Sequence, residues 1–324
     1  MNMLGEDGRL NRGYVGIPTF LRSNYCADID ALDARYAVFG VPYDEGSPFL
    51  PGSRFGPRAI REHSLRFSPD GIFDPATETS FLTEVIRQGK LVDIGDIDIV
   101  PSSPSRTFAG LTDTVKKLRR RGTIPVMLGG DHAVSFPAVR AFEEDIYVIQ
   151  LDSHIDYGKY DDEFRYGNGQ GFRQINELRN VKGLTQIGIR SYRTNPADFH
   201  KAKADGSRIV TMPELRERGP TAAVSQIPEG ASVYLSIDID AYDGPMVPGC
   251  VSAEPDGPSF AEMRSILEVI TDSFHIVGCD LVEVNPPLDV KTGATSYLAA
   301  LTIALLLGLI DKKDAHGAQP FAAP

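Results

Sequence analysis

The sequence predicts a three-layer α/β/α sandwich built on a central, mainly parallel β-sheet. Short β-rich apolar runs alternate with helical stretches for most of the chain. Several of those runs are apolar without interruption, as strands covered on both faces must be. No internal repeat, low-complexity linker or shift in composition divides the 324 residues, so a single domain over 1–324 is expected.

In chain order the expected strands are 37–41 (AVFGV), 91–94 (LVDI), 126–128 (VML), 147–151 (YVIQL), 186–189 (QIGI), 208–211 (RIVT), 233–239 (VYLSIDI) and 275–284 (HIVGCDLVEV). Helical stretches fall between them at 57–64, 108–121, 135–144, 213–218 and 259–273. The first 35 residues and the 65–90 region are irregular and rich in Pro and Gly, which suits arms and loops around the sheet and contacts between subunits. The tail over 313–324 is small and polar, and is expected to fray.

Composition narrows the function classes. Hydrophobic content of 42% with 24% charged residues is that of an ordinary soluble protein. A formal net charge of −11 speaks against nucleic-acid binding and suits a small cationic substrate, although acidity also serves solubility alone. Cys26, Cys250 and Cys279 are odd in number and form no CxxC pair, so a reducing compartment is expected and a disulfide framework is not. The N-terminus lacks a basic segment followed by an apolar core, so no signal peptide is read there. The longest apolar stretch, 297–310, falls short of the roughly 20 residues that span a bilayer and reads as a buried helix. A cytoplasmic protein with no membrane partner is the expectation.

Three segments end expected strands with an unusual density of His and Asp. MLGGDH supplies Asp131 and His132, LDSHID supplies Asp152, His154 and Asp156, and SIDIDAYD supplies Asp238, Asp240 and Asp243. In the second and third the polar groups recur every two residues, and side chains two apart on an extended chain point the same way. Open parallel sheets bind ligands beyond the carboxyl ends of their strands, where all three segments lie. Each segment alone has a plainer reading: GGDH as a turn with a capping Asp, DxHxD as a solvated strand end. Together they supply two imidazoles and four carboxylates, from His132, Asp152, His154, Asp156, Asp238 and Asp240. Four carboxylates converging without a cation would repel and be costly to bury. Two divalent cations nearly neutralise them, and six residues serve two metals about 3.5–4 Å apart where some carboxylates bridge. An oxygen-rich set of this kind favours Mn²⁺, with Ni²⁺ as the alternative, over a structural zinc site.

The blocks GGDHAVSFP, LDSHIDYG and SIDIDAYDGPMVPG resemble the three signature blocks of the ureohydrolases, the arginase and agmatinase family. GIPTFLR, GVPYDEGSPFLPGSRFGPRAIR, VDIGDID, IGIRS and DLVEVNPPLD resemble agmatinase-type blocks, and the likeness runs from about 16 to 310. The resemblance implies the arginase/deacetylase-like fold and cleavage of a guanidino compound into urea and an amine. It also implies that His132, Asp152, Asp156 and Asp238 hold one metal, and that Asp152, His154, Asp238 and Asp240 hold the other, with Asp152 and Asp238 bridging. Glu283 matches the family glutamate that grips the guanidinium, a role its bidentate geometry suits. The plainer reading of Glu283 is a strand-end salt bridge to a nearby Arg. Asp156 would orient the nucleophile and pass its proton toward the leaving amine. A trimer or hexamer is implied as well, and a hetero-oligomer with a paralogous subunit is the alternative.

Three positions depart from the family pattern. Asn168, in RYGNGQGF, stands where a His is expected, and Asn cannot titrate, so a proton relay there is lost and substrate contact altered. Cys250 takes a Thr position, where a buried small apolar role is favoured over a catalytic one. Gly244 follows Asp243 in place of Pro. His63, His200, His275 and His316 fall in no motif and read as structural or surface groups. These departures leave the ligand set intact and open the choice of substrate among agmatine, guanidine, a substituted guanidine and a biguanide. A non-catalytic subunit has no need of the ligands, and a single-zinc deacetylase would need a His pair that is absent.

Overall fold

The computed structural model describes residues 15–162 and 164–316. Its strands, in chain order, are β1 (Asn24–Tyr25), β2 (Tyr36–Gly40), β3 (Ile72–Asp74), β4 (Thr79–Phe81), β5 (Leu91–Asp96), β6 (Ile124–Leu128), β7 (Ile146–Leu151), β8 (Val181–Ile189), β9 (Arg208–Thr211), β10 (Ser232–Asp238) and β11 (His275–Val282). The helices are α1 (Gly56–Ser64), α2 (Thr83–Arg87), α3 (Pro104–Arg120), α4 (Ser135–Val139), α5 (Gly171–Asn176), α6 (Pro196–Ala204), α7 (Met212–Ala223), α8 (Phe260–Ser273) and α9 (Ala294–His316). Nine strands form one sheet in the order β1-β5-β2-β6-β11-β10-β7-β8-β9, with every pairing parallel. The remaining two, β3 and β4, form an antiparallel hairpin.

The uninterrupted apolar runs follow from burial on both faces. In β2, Tyr36 and Val38 join one apolar layer while Ala37 and Phe39 join the other. β10 does the same with Val233, Leu235 and Ile237 against Tyr234. The first layer is roofed by α1, α7, α8 and α9, and the second by α3 to α6. The expected α/β/α sandwich is what the chain adopts. α9 is longer than its apolar core of 297–310. Over Ala294–Lys313 it is apolar and long enough to cross a bilayer, yet 72% of its most apolar window is buried inside the protein.

Several expectations shift. The 65–90 region is less irregular than its Pro and Gly content suggests, because it holds the β3–β4 hairpin and α2. Within the expected arm of 1–35, residues 1–14 lie outside the described residues; the remainder packs rather than hangs free, with Phe20 and Leu21 buried and β1 pairing with β5. The expected tail of 313–324 starts later, since α9 runs to His316; residues 317–324 lie outside the described residues. The helix expected at 135–144 stops at Val139, leaving the chain room to turn into β7. α7 extends past 218 through a break at Gly219, whose φ of 76° ends the first helical piece before Pro220.

One buried ion pair fastens α1 to the sheet. Arg61 donates from Nε to Asp93 Oδ2 at 2.8 Å and from Nη2 to Asp93 Oδ1 at 3.0 Å, a two-pronged pairing. Asp93 Oδ2 also accepts from Phe20 N at 2.9 Å, which draws the segment before β1 onto the same point. With side-chain exposure of 7% and 1%, neither charge has water to fall back on. Asp93→Ala leaves the guanidinium with the half-exposed Asp96 as its remaining carboxylate partner, so a loss of about 1–3 kcal/mol of unfolding free energy is expected in a denaturant titration. A loss below about 1 kcal/mol, the range of an exposed pair, would show that the pairing does not hold α1.

Candidate active site

Four neighbouring strands, β6, β11, β10 and β7, end on the same edge of the sheet, and the chain leaving each carries one part of the site. Beyond β6 the turn Gly129-Gly130-Asp131 presses against the segment after β2. A Cβ at Gly130 would sit 1.7 Å from the Tyr43 carbonyl oxygen, so only glycine fits. Asp131 serves as the cap that the plainer reading of GGDH describes: Oδ1 accepts from Ala133 N at 3.1 Å and Oδ2 from Gly46 N at 2.7 Å. His132 is thereby aimed along the sheet edge.

The acidic segments converge through turns, which corrects the expectation of extended alternation. β7 ends at Leu151 and β10 at Asp238, so most of the polar groups lie past the strands. Asp152 Oδ1 accepts from His154 N at 2.6 Å, and Asp238 Oδ1 accepts from Asp240 N at 2.8 Å. Each carboxylate thus folds its own turn and brings the group two residues on round to the same side. Asp240 Oδ1 accepts from Ser153 N at 3.0 Å and ties the two turns together. Asp156 holds a φ of 45°, an unfavourable backbone for a non-glycine residue, as does Glu283 at 64°. Asp243 stands apart and accepts from Gly257 N at 3.0 Å.

The six side chains singled out in the sequence meet. His132 Nδ1 lies 3.1 Å from Asp152 Oδ2, 3.0 Å from Asp156 Oδ2 and 3.3 Å from Asp238 Oδ2. His154 Nδ1 lies 3.0 Å from Asp240 Oδ2 and 3.5 Å from Asp152 Oδ1. Among the described residues, His132, Asp152 and Asp156 form one cluster with metal-ligand spacing, and Asp152, His154 and Asp240 form a second. Asp152 belongs to both. His132 Nδ1 and Asp240 Oδ2 are buried without a hydrogen-bond partner, although oxygen or nitrogen atoms surround each at contact distance. Atoms packed this closely without hydrogen-bond geometry are what ligands facing a shared cation look like, and the set fits two divalent ions.

Without cations the imidazoles carry the balancing charge. Burial alone would lower His132, but Asp152, Asp156 and Asp238 outweigh it and raise its pKa well above the usual value. His154 is likewise opposed by burial yet pushed up to about 12 by Asp240 and Asp152. Burial raises Asp152, and the two imidazoles more than reverse that and hold it far below the usual carboxylate range. Asp238 is raised well above that range by burial and by its neighbours Asp240 and Asp152.

Glu283, just past β11, completes the edge. Its Oε1 accepts from His132 N at 2.9 Å and from Asn168 Nδ2 at 3.1 Å, so the two residues expected to meet substrate do meet each other. No Arg or Lys lies within ion-pair distance of Glu283 among the described residues, which removes the plainer reading of a strand-end salt bridge. Burial pushes its carboxyl up to about 7. Cys250 is buried as expected, but it lies against the Asp238 and Asp240 carboxylates. Burial and those two charges raise its thiol well above the usual value.

Supporting residues were missed. Gln150 Nε2 donates to Asp152 Oδ2 at 2.6 Å and is held in turn by Gln186. His132 Nε2 meets Ser236 Oγ at 2.9 Å, and Ser236 donates to Asp280 Oδ1 at 2.6 Å. The signal was available: Gln150 and Asp280 stand inside strands buried on both faces, where a polar side chain needs a partner. Arg190 reaches the backbone carbonyls of Gly188, Asp240, Ala241, Tyr242, Glu254 and Pro255, and on the rim Arg193 donates to Glu254 at 3.0 Å with its Nη2 2.9 Å from His154 Nε2. Neither contact has a local sequence signal.

This fold and this edge define a class, and comparison with known proteins agrees. Residues 34–308 match the model of the Arginase family, and the chain belongs to that family. It is a hydrolase acting on C–N bonds of linear amidines, a ureohydrolase. It is 33% identical over 309 residues to the proclavaminate amidinohydrolase of Streptomyces clavuligerus, covering 93% of this chain and 95% of that one. The guanidinobutyrase of Pseudomonas aeruginosa is 31% identical over 298 residues, covering 89% and 90%. The Pyrococcus horikoshii agmatinase is 30% identical over 283 residues, covering 87% and 94%. A solved structure of the Streptomyces enzyme superposes with a TM-score of 0.80 at 29% identity, covering 93% of this chain and 99% of that one.

The protonated imidazoles give a measurable consequence. A cation takes neutral imidazole, so loading the metal-free protein must displace protons, and affinity must fall as pH falls. Calorimetric titration of chelator-treated protein with Mn²⁺ at pH 8, in buffers of different ionisation enthalpy, should show release of about one to two protons per pair of ions. Heat independent of buffer would show that His132 and His154 give up no proton to a metal.

Proposed function

We propose that this chain is a binuclear-metal amidinohydrolase that cleaves a small guanidino compound to urea and an amine, in the manner of an agmatinase. The observation that carries the reading is the convergence of His132, Asp152, His154, Asp156, Asp238 and Asp240 with Glu283 at one sheet edge. In this reading His132, Asp152, Asp156 and Asp238 hold one cation. Asp152, His154, Asp238 and Asp240 hold the other, so that Asp152 and Asp238 are shared. The oxygen-rich donors favour Mn²⁺, with Ni²⁺ the alternative. A bound pair supplies Lewis acidity that brings the ionisation of water down to near neutral pH.

The chain's own side chains do the rest. Glu283 Oε2 has no hydrogen-bond partner among the described residues, so a planar guanidinium pairs there and shares Oε1. A cation against that carboxyl draws it back from about 7 toward its ionised form. Asp156, at the same sheet edge and beside His132, would accept a proton from the attacking water and deliver it to the departing nitrogen. One C–O bond forms, one C–N bond breaks, and water supplies the atoms that urea and the amine gain.

The tail of the substrate is not chosen by likeness, since relatives named for different substrates match within 30–33% identity. Asn168 favours a second reading within the same chemistry, namely guanidine, a substituted guanidine or a biguanide. Its amide donates to the carboxyl that grips the guanidinium, and it brings no charge or titratable proton. Urea release measured against arginine, agmatine, guanidinobutyrate, guanidine and biguanides, with Mn²⁺ and Ni²⁺ supplied separately, tests the function. No release from any of them would sink it.

Glu283→Gln should keep the fold and the metals while kcat/KM drops by about a hundredfold or more, since losing one partner of a desolvated charge pair costs about 2–5 kcal/mol. An unchanged kcat/KM would place the guanidinium elsewhere. For Asn168→His, the expected outcome is a gain on agmatine relative to guanidine or a biguanide, measured beside the wild type. If the wild type already prefers agmatine and the variant changes nothing, position 168 does not set specificity.

A further inference from the structure

Beyond Asp238 and Asp240 the chain turns back along the same edge through Gly249 and Cys250. Cys250 forms a group with the Asp238 and Asp240 carboxylates in which the ligand atoms lie within 4.8 Å of one another, and all three residues are buried. Asp240 is 1% exposed, and its Oδ2, 3.0 Å from His154 Nδ1, is buried without a hydrogen bond. The loop that carries the thiol is firmly held. Gly249 N donates to Thr295 Oγ1 at 2.8 Å, Asn285 N donates to Gly249 O at 2.7 Å, and Cys250 N donates to Val247 O at 3.1 Å. A Cβ at Gly249 would come within 2.8 Å of Asp289 and 2.9 Å of Thr295, so the backbone sits as close to the 285–295 segment as it can. The sulfur is therefore placed among buried carboxylate oxygens, at a point where hard donors otherwise dominate.

We propose that Cys250 Sγ is a further donor at the cation position bounded by Asp238 and Asp240, so that this position takes thiophilic divalent cations such as Co²⁺, Zn²⁺ or Cd²⁺ more readily than its carboxylates alone would. The inference rests on the two-cation reading above and adds a soft ligand to it. Oxygen and imidazole donors leave the choice of first-row metal to geometry and supply, whereas a sulfur donor biases it. Binding exchanges the thiol proton for the cation, and the proton leaves to solvent. The competing account is that Cys250 merely fills space in the apolar layer it adjoins.

The test uses the full chain, stripped with chelator and reloaded with Co²⁺, as wild type, Cys250→Ser and Cys250→Thr. Two substitutions of similar size are compared so that a folding defect in one does not decide the matter. Elemental analysis counts ions, and near-ultraviolet absorbance reports thiolate-to-cobalt charge transfer. The expected result is two cobalt ions per chain in all three proteins, with a charge-transfer band in the wild type that both variants lose. Competition should show the preference for Cd²⁺ over Mn²⁺ falling by about tenfold in the variants, the size of effect that a change around a metal commonly has on affinity. Two cobalt ions with no band in the wild type, or with a band that survives both substitutions, overturns the donor role and leaves the two-cation reading standing. Fewer than two cobalt ions in the wild type overturns that reading and the proposal with it.

Discussion

The structure depends on one constraint: the buried carboxylates of Asp152, Asp238, Asp240 and Glu283 and the partly buried one of Asp156 crowd together at one edge of a parallel sheet. Two like charges about 4 Å apart repel by about 4 kcal/mol at an effective dielectric constant near 20, and that repulsion has to be offset from within the fold. In the metal-free protein the offset comes from His132 and His154, both driven toward the protonated state by the carboxylates around them. Two positive imidazoles balance at most half of four negative groups. The remainder explains why Asp238 and Asp156 are pushed toward the neutral form, and why a pair of divalent cations suits the cluster better than protons do.

Holding such a cluster in place falls to backbone and neutral groups, because more charge would defeat the purpose. Asp152 and Asp238 each spend one oxygen on a local amide, which fixes the turn and leaves the other oxygen facing inward. Gln150 and Gln186 steady Asp152, while Ser236 and Asp280 steady His132 from behind. A metal-ligating imidazole whose far nitrogen is held by a hydroxyl–carboxylate chain keeps one orientation and one tautomer. Left-handed backbone at Asp156 and Glu283 is the residual cost of bringing all the groups to a common focus.

Much of this was legible in the sequence, for reasons that differ by element. Strands such as 147–151 were plain because burial on both faces leaves an unbroken apolar run. That these six side chains meet was legible because His and Asp crowd into short segments at strand ends. The path by which they converge was misread: alternation along an extended chain and an Asx turn both bring residues two apart to one side, and the sequence pattern is the same for either. The hairpin over 72–81 was hidden because its strands are short and partly exposed, with no apolar run to betray them. Arg190 and Arg193 were hidden because their partners are loop carbonyls and a rim glutamate, which leave no local pattern. Asn168 shows the opposite case, since its departure from the family pattern was visible although its contact with Glu283 was not.

The departures share a location, and that location says how such a fold can change its chemistry. His132, Asp152 and Asp238 stand at or just past strand ends, where register with neighbouring strands and buried hydrogen bonds allow little movement. Asn168 and Cys250 sit on segments that reach the same focus from outside the sheet, one toward Glu283 and the other toward Asp240. On the proposed reading, a substitution there changes what faces the guanidino group or the cation without disturbing the turns that bring the His and Asp side chains together. Strand ends therefore fix the class of reaction, while the arriving loops are free to tune which cation and which tail the site accepts. By that logic, substrate and metal preference in this protein are to be sought in the two loops, and the capacity for hydrolysis in the sheet edge they cover.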